Sequence, residues 1–186
     1  MADKNKLEQA ARLILEAIGE DPNREGLLET PRRFAEMMEE QMAYTTVSNE
    51  EIARQFGKTF TSSEEGPVVV KDISIFSHCE HHLALMYHMH VSVGYIPHGR
   101  VIGLSKVARI ADAVSRRLQI QERIGADIRN IIEKVTGSSD VIVRIDGEHS
   151  CMTARGIKKP DAVTTTISSS GKFNTPEYRQ LFKDML

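Results

Sequence analysis

Apolar positions in the first sixty residues recur at steps of three and four, the spacing of one face of an α-helix. They predict a helix over residues 5–18. Thr30 followed by Pro31 predicts the start of a second helix, because Pro is favoured at the first helical position. Ser48, three residues before Glu51, fits a capping box for a third helix.

Short runs of β-favouring residues replace this helical pattern further along the chain. Residues 68–76 and 86–96 predict two strands, and residues 141–145 and 162–170 predict two more. A long amphipathic stretch over residues 106–135 separates the two pairs and predicts helix. The order of helices, two strands, a long helix pair, two strands and a short final helix favours an α+β fold with a largely antiparallel sheet.

The change of pattern predicts two parts, an N-terminal helical segment over residues 1–60 and a main domain over residues 61–186. Within the long helical stretch, Ser105 is expected to be the N-cap. Gln121-Glu122-Arg123 is expected to lie in the middle of that stretch, where an exposed polar helix face is the simplest interpretation.

Composition narrows the class of protein. The chain has 186 residues, 40% hydrophobic and 27% charged, which suits a globular domain with one core. A net charge of −2 and an aromatic content of 5% argue against nucleic-acid binding. Because no apolar run could span a bilayer and no secretory signal is visible, we expect a cytoplasmic protein whose cysteines are thiols or metal ligands.

Both cysteines lie beside histidines, in the runs Cys79-Glu80-His81-His82 and His149-Ser150-Cys151. Thiolate and imidazole are the ligands that zinc prefers, so the two runs together predict a zinc site. If residues 79–82 form a turn, the first and last side chains converge, which makes His82 a better ligand than His81.

The number of protein ligands decides what such a metal does. Three ligands and one open position are typical of a catalytic zinc, whereas four protein ligands are typical of a structural one. Cys79, His82 and Cys151 with either His81 or His149 could supply four, so spacing alone leaves both alternatives open. In an extended segment His149 and Cys151 would share one face, which places His149 near the metal.

Positive side chains lie near a possible anion site. Gly103-Leu104-Ser105-Lys106 joins a predicted strand to a predicted helix, and the free amides of a helix start can bind an anion. Lys106 and Arg109 lie close to that start, and Arg155 follows Cys151 closely. For Ser105 and Lys106 a solvated helix start is the simpler interpretation, whereas Arg155 is expected to lie near the predicted metal.

Several ordered blocks of the sequence resemble the signatures of the GTP cyclohydrolase I family, and the resemblance covers nearly the whole chain. The combination of these blocks, in this order, is far more specific than any single motif. The blocks are Glu29–Met37, Cys79-Glu80-His81-His82, Tyr95-Ile96-Pro97, Val101–Lys106, Arg109-Ile110, Gln119–Arg123, His149–Gly156 and Gly171-Lys172-Phe173.

The resemblance implies a T-fold, an antiparallel sheet with a pair of long helices. It implies a zinc cofactor and a ring-shaped homo-oligomer, usually a decamer, with active sites at subunit interfaces. The implied reaction converts GTP and water into formate and 7,8-dihydroneopterin triphosphate, the first step of tetrahydrofolate and pterin synthesis.

The resemblance also assigns roles to residues. It implies Cys79, His82 and Cys151 as the zinc ligands. It implies His81, His149 and Ser105 as the catalytic residues that move protons. Glu122, with Gln121 beside it, is implied to bind the guanine edge. The residues implied to bind the triphosphate of GTP are Lys106, Arg109, Arg155 and Arg33. Of these, Arg33 is implied to reach the site of a neighbouring subunit.

The chain departs from the family pattern at two places. Residues 83–90 lack the Pro and Gly that the family commonly has after the first zinc block. Leu118 stands where the family usually has Pro, and it would allow a continuous helix there. Two other functions remain open, a related T-fold enzyme acting on another purine or pterin, and a regulatory or binding protein with a closed structural zinc site.

Overall fold

The computed structural model of the chain describes residues 2–186. Contacts divide the chain into two compact units, Met1–Thr46 and Val47–Leu186. The first unit contains helices α1 (Lys4–Ala17) and α2 (Thr30–Gln41), which pack against each other and are joined through a 3₁₀ turn (Glu25–Leu27). A domain boundary at residue 60 stays a prediction.

The second unit begins with α3 (Asn49–Phe56), and the predicted capping box at its start is confirmed. The Glu51 amide donates to the Ser48 hydroxyl at 3.2 Å, and the Ser48 amide donates to the Glu51 carboxylate at 2.7 Å. The two bonds satisfy donors that a helix start would otherwise leave unpaired. α3 buries Ile52 and Phe56 and packs against the two helices that cover the sheet.

The core of this unit is a five-stranded sheet in the order β5-β2-β3-β6-β7. All neighbours pair antiparallel except β5, which runs parallel to β2. A separate small sheet pairs β1 with β4. The strands are β1 (Thr59–Thr61), β2 (Val68–Cys79), β3 (Ala84–Tyr95), β4 (Arg100–Ile102), β5 (Leu118–Gln119), β6 (Val141–His149) and β7 (Thr164–Ser169).

Two helices cover one face of the sheet, α4 (Leu104–Ser115) and α5 (Gln121–Thr136). α4 packs on β2, α5 packs on β6 and β7, and the two helices contact each other. The predicted alternation of side chains in β3 is present, because every second residue from Met89 to Val93 (Met89, Val91 and Val93) is fully buried. The α+β class and its arrangement of an antiparallel sheet with a helix pair, the predicted T-fold, are confirmed.

The opposite face of the sheet is covered at one end by the last helix, α7 (Pro176–Met185). Phe182 of α7 and Phe173 pack with Ile142, whose side chain points away from those of its neighbours in β6. A short helix, α6 (Ser150–Thr153), follows β6 directly. Among residues 2–186 no helix is long and apolar enough to cross a membrane.

The helical region predicted over residues 106–135 contains the expected pair of helices, separated by a short strand. The chain leaves the helix after Ser115, forms β5 and begins α5 at Gln121. Two long-range hydrogen bonds stabilise the non-helical segment between these helices. The Ser77 hydroxyl donates to the Ser115 carbonyl at 2.6 Å, and the Arg117 guanidinium donates to the Val47 carbonyl at 2.7 Å. Leu118 permits a helix, but these bonds and the pairing of β5 with β2 favour the break.

Two local predictions need correction. The N-cap of α4 is Gly103, not Ser105, and no side chain caps this helix. Gln121, Glu122 and Arg123 form the first turn of α5 and do not lie in mid-helix. The break therefore places a helix start, with its free amides, beside the end of β2.

Candidate metal and substrate site

A tight turn at the end of β2 carries the first cysteine–histidine run. Cys79 is the last residue of β2 and is buried, and the chain reverses through a turn into β3. Leu83 completes the reversal in the left-handed region, at φ +52°. The expected turn is therefore present, and it brings the His82 Nδ1 atom to 3.8 Å from the Cys79 sulfur.

The β5–α5 segment holds this turn in place. The Glu80 amide donates to the Gln119 carbonyl at 3.0 Å, which extends the pairing of β5 with β2. The Arg123 guanidinium donates two hydrogen bonds to the Glu80 carboxylate, at 2.7 and 3.1 Å. Sequence reasoning missed this ion pair because its partners are 43 residues apart.

The second cysteine approaches from the end of β6. Cys151 lies in the short helix α6, so the segment from His149 to Cys151 is not extended: β6 ends at His149 and the chain becomes helical there. The Tyr87 and Thr153 hydroxyls are hydrogen bonded at 2.9 Å, and the Ser150 hydroxyl donates to the Leu85 carbonyl. Both bonds tie α6 to β3.

Cys79, His82 and Cys151 converge so that one ligand atom from each lies within 4.8 Å of the others. In the described part of the chain, no other group of three potential metal ligands converges in this way. Burial raises the pKa of the Cys151 thiol, and the neighbouring Cys79 adds to the rise. A bound divalent cation would favour both thiolates and relieve this repulsion.

The donor set fits zinc. Two sulfurs and one imidazole nitrogen are a typical three-residue set for a zinc ion that keeps one position for water or substrate. The His81 Nδ1 atom lies 3.7 Å from the Cys79 sulfur, but His81 is exposed and outside the convergent group.

His149 ends β6 beside the first turn of α5. Its Nε2 atom lies 2.8 Å from the Gln121 side-chain oxygen. Burial lowers the pKa of His149, and the Glu122 carboxylate opposes the shift. Glu122 itself is exposed at the start of α5, which leaves its carboxylate accessible to a ligand.

Gln121 is buried, with only 1% of its surface exposed. Its amide nitrogen donates to the Ile145 and Thr164 carbonyls at 3.0 and 2.9 Å. Both polar atoms of its side chain therefore have protein partners. No sequence signal could have indicated the contact with His149, which lies 28 residues further along the chain.

Of the expected anion-binding residues, Arg155 is the one that contacts the metal-ligand group. One terminal nitrogen of its guanidinium lies 2.6 Å from the His82 Nε2 atom. Ser105, Lys106 and Arg109 lie in the first two turns of α4. Within residues 2–186 no hydrogen bond or ion pair joins these three to the ligand group. Arg33 lies exposed on α2, in the first unit.

The fold and the site together define the class: an α+β protein with three converging metal-ligand side chains, the number typical of a catalytic zinc site. A family model described as GTP cyclohydrolase I matches residues 7–186. The chain belongs to the GTP cyclohydrolase I family, as the resemblance of its motifs predicted.

Curated relatives agree with this assignment. GTP cyclohydrolase 1 of Clostridium acetobutylicum is 58% identical over 180 residues, covering 94% of this chain and 92% of the relative. The protein of that name from Clostridium beijerinckii is 58% identical over 179 residues, covering 93% and 91%. A solved structure described as the archaeosine synthase QueF-Like in the apo form aligns with 59% of this chain and 96% of its own, at TM-score 0.45 and 18% identity.

Proposed function

We propose that this chain is a GTP cyclohydrolase that opens the imidazole ring of GTP by hydrolysis. The products are formate and 7,8-dihydroneopterin triphosphate, in the first step of tetrahydrofolate and pterin synthesis. The observation that carries the proposal is the convergence of Cys79, His82 and Cys151 in a chain 58% identical to a curated GTP cyclohydrolase 1.

Cys79, His82 and Cys151 would hold the zinc ion. When bound, zinc supplies Lewis acidity and lowers the pKa of a water molecule toward neutrality, which provides the nucleophile for hydrolysis at purine C8. The Glu80–Arg123 ion pair keeps the turn that carries two of the ligands against α5. Such outer contacts orient the ligands of a metal site.

His149 is the residue that exchanges a proton with purine N7 as the imidazole ring opens. Because burial lowers its pKa, the imidazolium is a stronger acid than a solvated one and gives up its proton readily. His81, exposed on the turn, and Ser105, exposed at the start of α4, move protons during opening of the ribose.

Glu122 recognises the guanine edge. An ionised carboxylate accepts two hydrogen bonds, from guanine N1–H and from the exocyclic amine, a pair of donors that adenine does not offer. A site that pairs both donors rejects a base lacking them, since the carboxylate would stay unpaired.

The triphosphate requires several cations, and a chain of net charge −2 must place them locally. Lys106, Arg109 and Arg155 supply them, with Arg33 from a neighbouring subunit. The start of α4 adds amides that no side chain caps, and free amides at a helix start favour a bound phosphate.

The enzyme is a homo-oligomer, and the family resemblance favours a decamer. The exposed edges of the sheet support self-association. β7 is an edge strand, and β5 pairs with β2 only at His78 and Cys79. Sedimentation equilibrium tests the assembly: we expect ten times the chain mass, whereas a monomer would contradict self-association and another multiple would contradict the decamer.

The catalytic proposal is tested by incubating zinc-loaded protein with GTP and measuring formate together with the fluorescence of the oxidised pterin. We expect both products with GTP and neither with ATP. Fully zinc-loaded protein that yields no formate from GTP would refute the proposed function.

Three variants separate the metal ligands from the proton-transfer residue. Cys151→Ser should lower both zinc content and activity, whereas His149→Ala should lower activity and keep zinc. His90→Ala is the matched control, because His90 is an exposed histidine of β3 outside the site, and it should keep both. Loss of zinc in His149→Ala would contradict the ligand assignment.

In the competing function, a structural zinc site with four protein ligands, His81 is the candidate for the fourth ligand, because its ring nitrogen lies 3.7 Å from the Cys79 sulfur. A structural zinc with His81 as fourth ligand would show four protein ligands by X-ray absorption spectroscopy. The catalytic proposal expects three protein ligands and one light-atom ligand from solvent. His81→Ala should then leave zinc content unchanged.

A further inference from the structure

We propose that Gln121 is a positioning residue that fixes the tautomer of His149, and that it does not contact the guanine base. The inference deepens the proposed function and rests on it for the role of His149. It replaces the substrate contact that the family resemblance implies for Gln121 with a contact to a catalytic histidine.

The orientation of the Gln121 amide is determined by its surroundings. The Ile145 and Thr164 main-chain carbonyls, 3.0 and 2.9 Å from the side-chain nitrogen, can only accept hydrogen bonds. The NH₂ group must therefore face these carbonyls, and the oxygen must face His149. The reversed amide would place its oxygen against two carbonyl oxygens in a buried site, an unfavourable contact between acceptors.

This orientation decides where the proton lies on the histidine ring. The Gln121 Oε1 atom accepts only, and it is 2.8 Å from the His149 Nε2 atom. Nε2 must then carry the hydrogen, and the neutral ring has its free lone pair on Nδ1. The hydrogen bond of one ring nitrogen thus sets which nitrogen is open for proton exchange.

The packing around the amide leaves little freedom for a different arrangement. Gln121 is 1% exposed, and the Thr166 hydroxyl lies 3.2 Å from the same amide nitrogen. A Cβ atom at Gly147 would lie 2.9 Å from Met89 Cγ and 3.1 Å from the Gln121 oxygen. The absence of a side chain at Gly147 therefore provides the space in which the oxygen meets His149.

The consequence for the reaction is that protons enter and leave His149 at Nδ1. The imidazolium releases its Nδ1 proton to the substrate nitrogen and becomes the neutral Nε2–H ring, and the reverse transfer restores it. The Nε2 proton remains hydrogen bonded to Gln121 throughout, so the glutamine gains and loses no proton. A ring free to adopt the other tautomer would present a hydrogen where the lone pair is needed.

The tautomer can be measured without turnover. Protein labelled with ¹⁵N-histidine gives two-bond ¹H–¹⁵N correlations whose pattern distinguishes the two neutral tautomers, and the His149→Ala spectrum identifies the His149 signals. We expect the Nε2–H form in the wild-type protein. Gln121→Met, of similar length but without an acceptor, should lose that preference.

Kinetics separate positioning from substrate binding. Gln121→Met should lower kcat by about tenfold to a hundredfold, the usual effect of removing a partner that orients a site residue, with KM for GTP nearly unchanged. A rise in KM with unchanged kcat in Gln121→Met would overturn the inference, because it is the result expected for a guanine contact.

The two proposals fail differently. A wild-type spectrum with the Nδ1–H tautomer overturns this inference even if GTP is converted, and it requires no variant to fold. An Nε2–H spectrum in zinc-loaded protein that yields no formate overturns the proposed function and leaves the tautomer assignment intact. Zinc content and thermal unfolding of each variant show whether a loss of kcat reflects unfolding.

Discussion

At the scale of single residues, the backbone at Gly171 shows how closely the chain is packed where β6 begins. Gly171 has φ +52°, in the left-handed region that favours glycine. A Cβ atom there would lie 2.1 Å from the Asp140 carboxylate. Asp140 is buried and accepts a hydrogen bond from the Lys172 amide at 2.8 Å, so it cannot move aside freely.

Gly171→Ala should therefore lower the free energy of unfolding by about 3 kcal/mol, combining left-handed strain with overpacking. Denaturant titration measures the change. Gly156→Ala has the same kind of φ, +57°, in open space and should show only the strain, about 1 kcal/mol. Gly66→Ala, with open space and no positive φ, should have little effect. Equal losses in all three variants would contradict the packing explanation.

Residue spacing could predict the metal-ligand group, because two ligands in one short turn lie close together whatever the rest of the fold. Cys79 and His82 are three residues apart, and Cys151, in the second cysteine–histidine run, was the candidate for the third ligand. The contact between Gln121 and His149 could not be predicted, since it depends on how α5 lies against β6. The N-cap of α4 was misassigned because Ser105 has a favourable residue type, whereas Gly103 has the extended backbone that a cap needs.

At the scale of elements, hydrophobic periodicity predicted the strands and helices whose faces are buried, such as β3 and α5. It predicted a pair of helices over residues 106–135 but could not place the break between α4 and α5. The residues between Ser115 and Gln121 include Arg116, Arg117 and Leu118, which are all acceptable in a helix. Their hydrogen bonds to distant parts of the unit, not their own preferences, set the break.

The geometry of β5 predicts that proline is tolerated at residue 118. The Gln119 carbonyl accepts from the Glu80 amide, so the Gln119 polar groups face β2 and the Leu118 amide points away. Leu118→Pro should then cost less than about 1.5 kcal/mol of unfolding free energy. Ala108→Pro, inside α4, should cost about 3 kcal/mol or more because it removes a helix hydrogen bond. Thermal unfolding of both variants compares them, and similar losses would contradict this view of β5.

At the scale of the whole molecule, the ligand group joins segments that are far apart in sequence. A metal held by β2, its turn and α6 stabilises the folded chain only, since the unfolded chain has no assembled site. At a free zinc concentration of about 100 times Kd, the gain is about 2.7 kcal/mol. Zinc should raise the melting temperature of the wild-type protein and not that of Cys151→Ser.

The affinity for zinc should also depend on pH. Burial raises the pKa of the Cys151 thiol, and zinc binds the thiolate, so protons compete with the metal. Apparent zinc affinity should fall as pH is lowered, and zinc binding should release protons into a weakly buffered solution. Competition with a chromophoric chelator at several pH values measures the affinity. An affinity that stays constant as pH falls would contradict thiolate ligation.

The short segment from Gln119 to Arg123 also bears on when the site forms. Its contacts reach back 43 residues to Glu80 and forward 28 residues to His149, and each forms only once β2 and β6 lie in the sheet. Long-range contacts of this kind close late in folding. Metal uptake should therefore be among the last events in the maturation of the chain, and a nascent polypeptide that has not yet exposed residue 151 has no complete site to load.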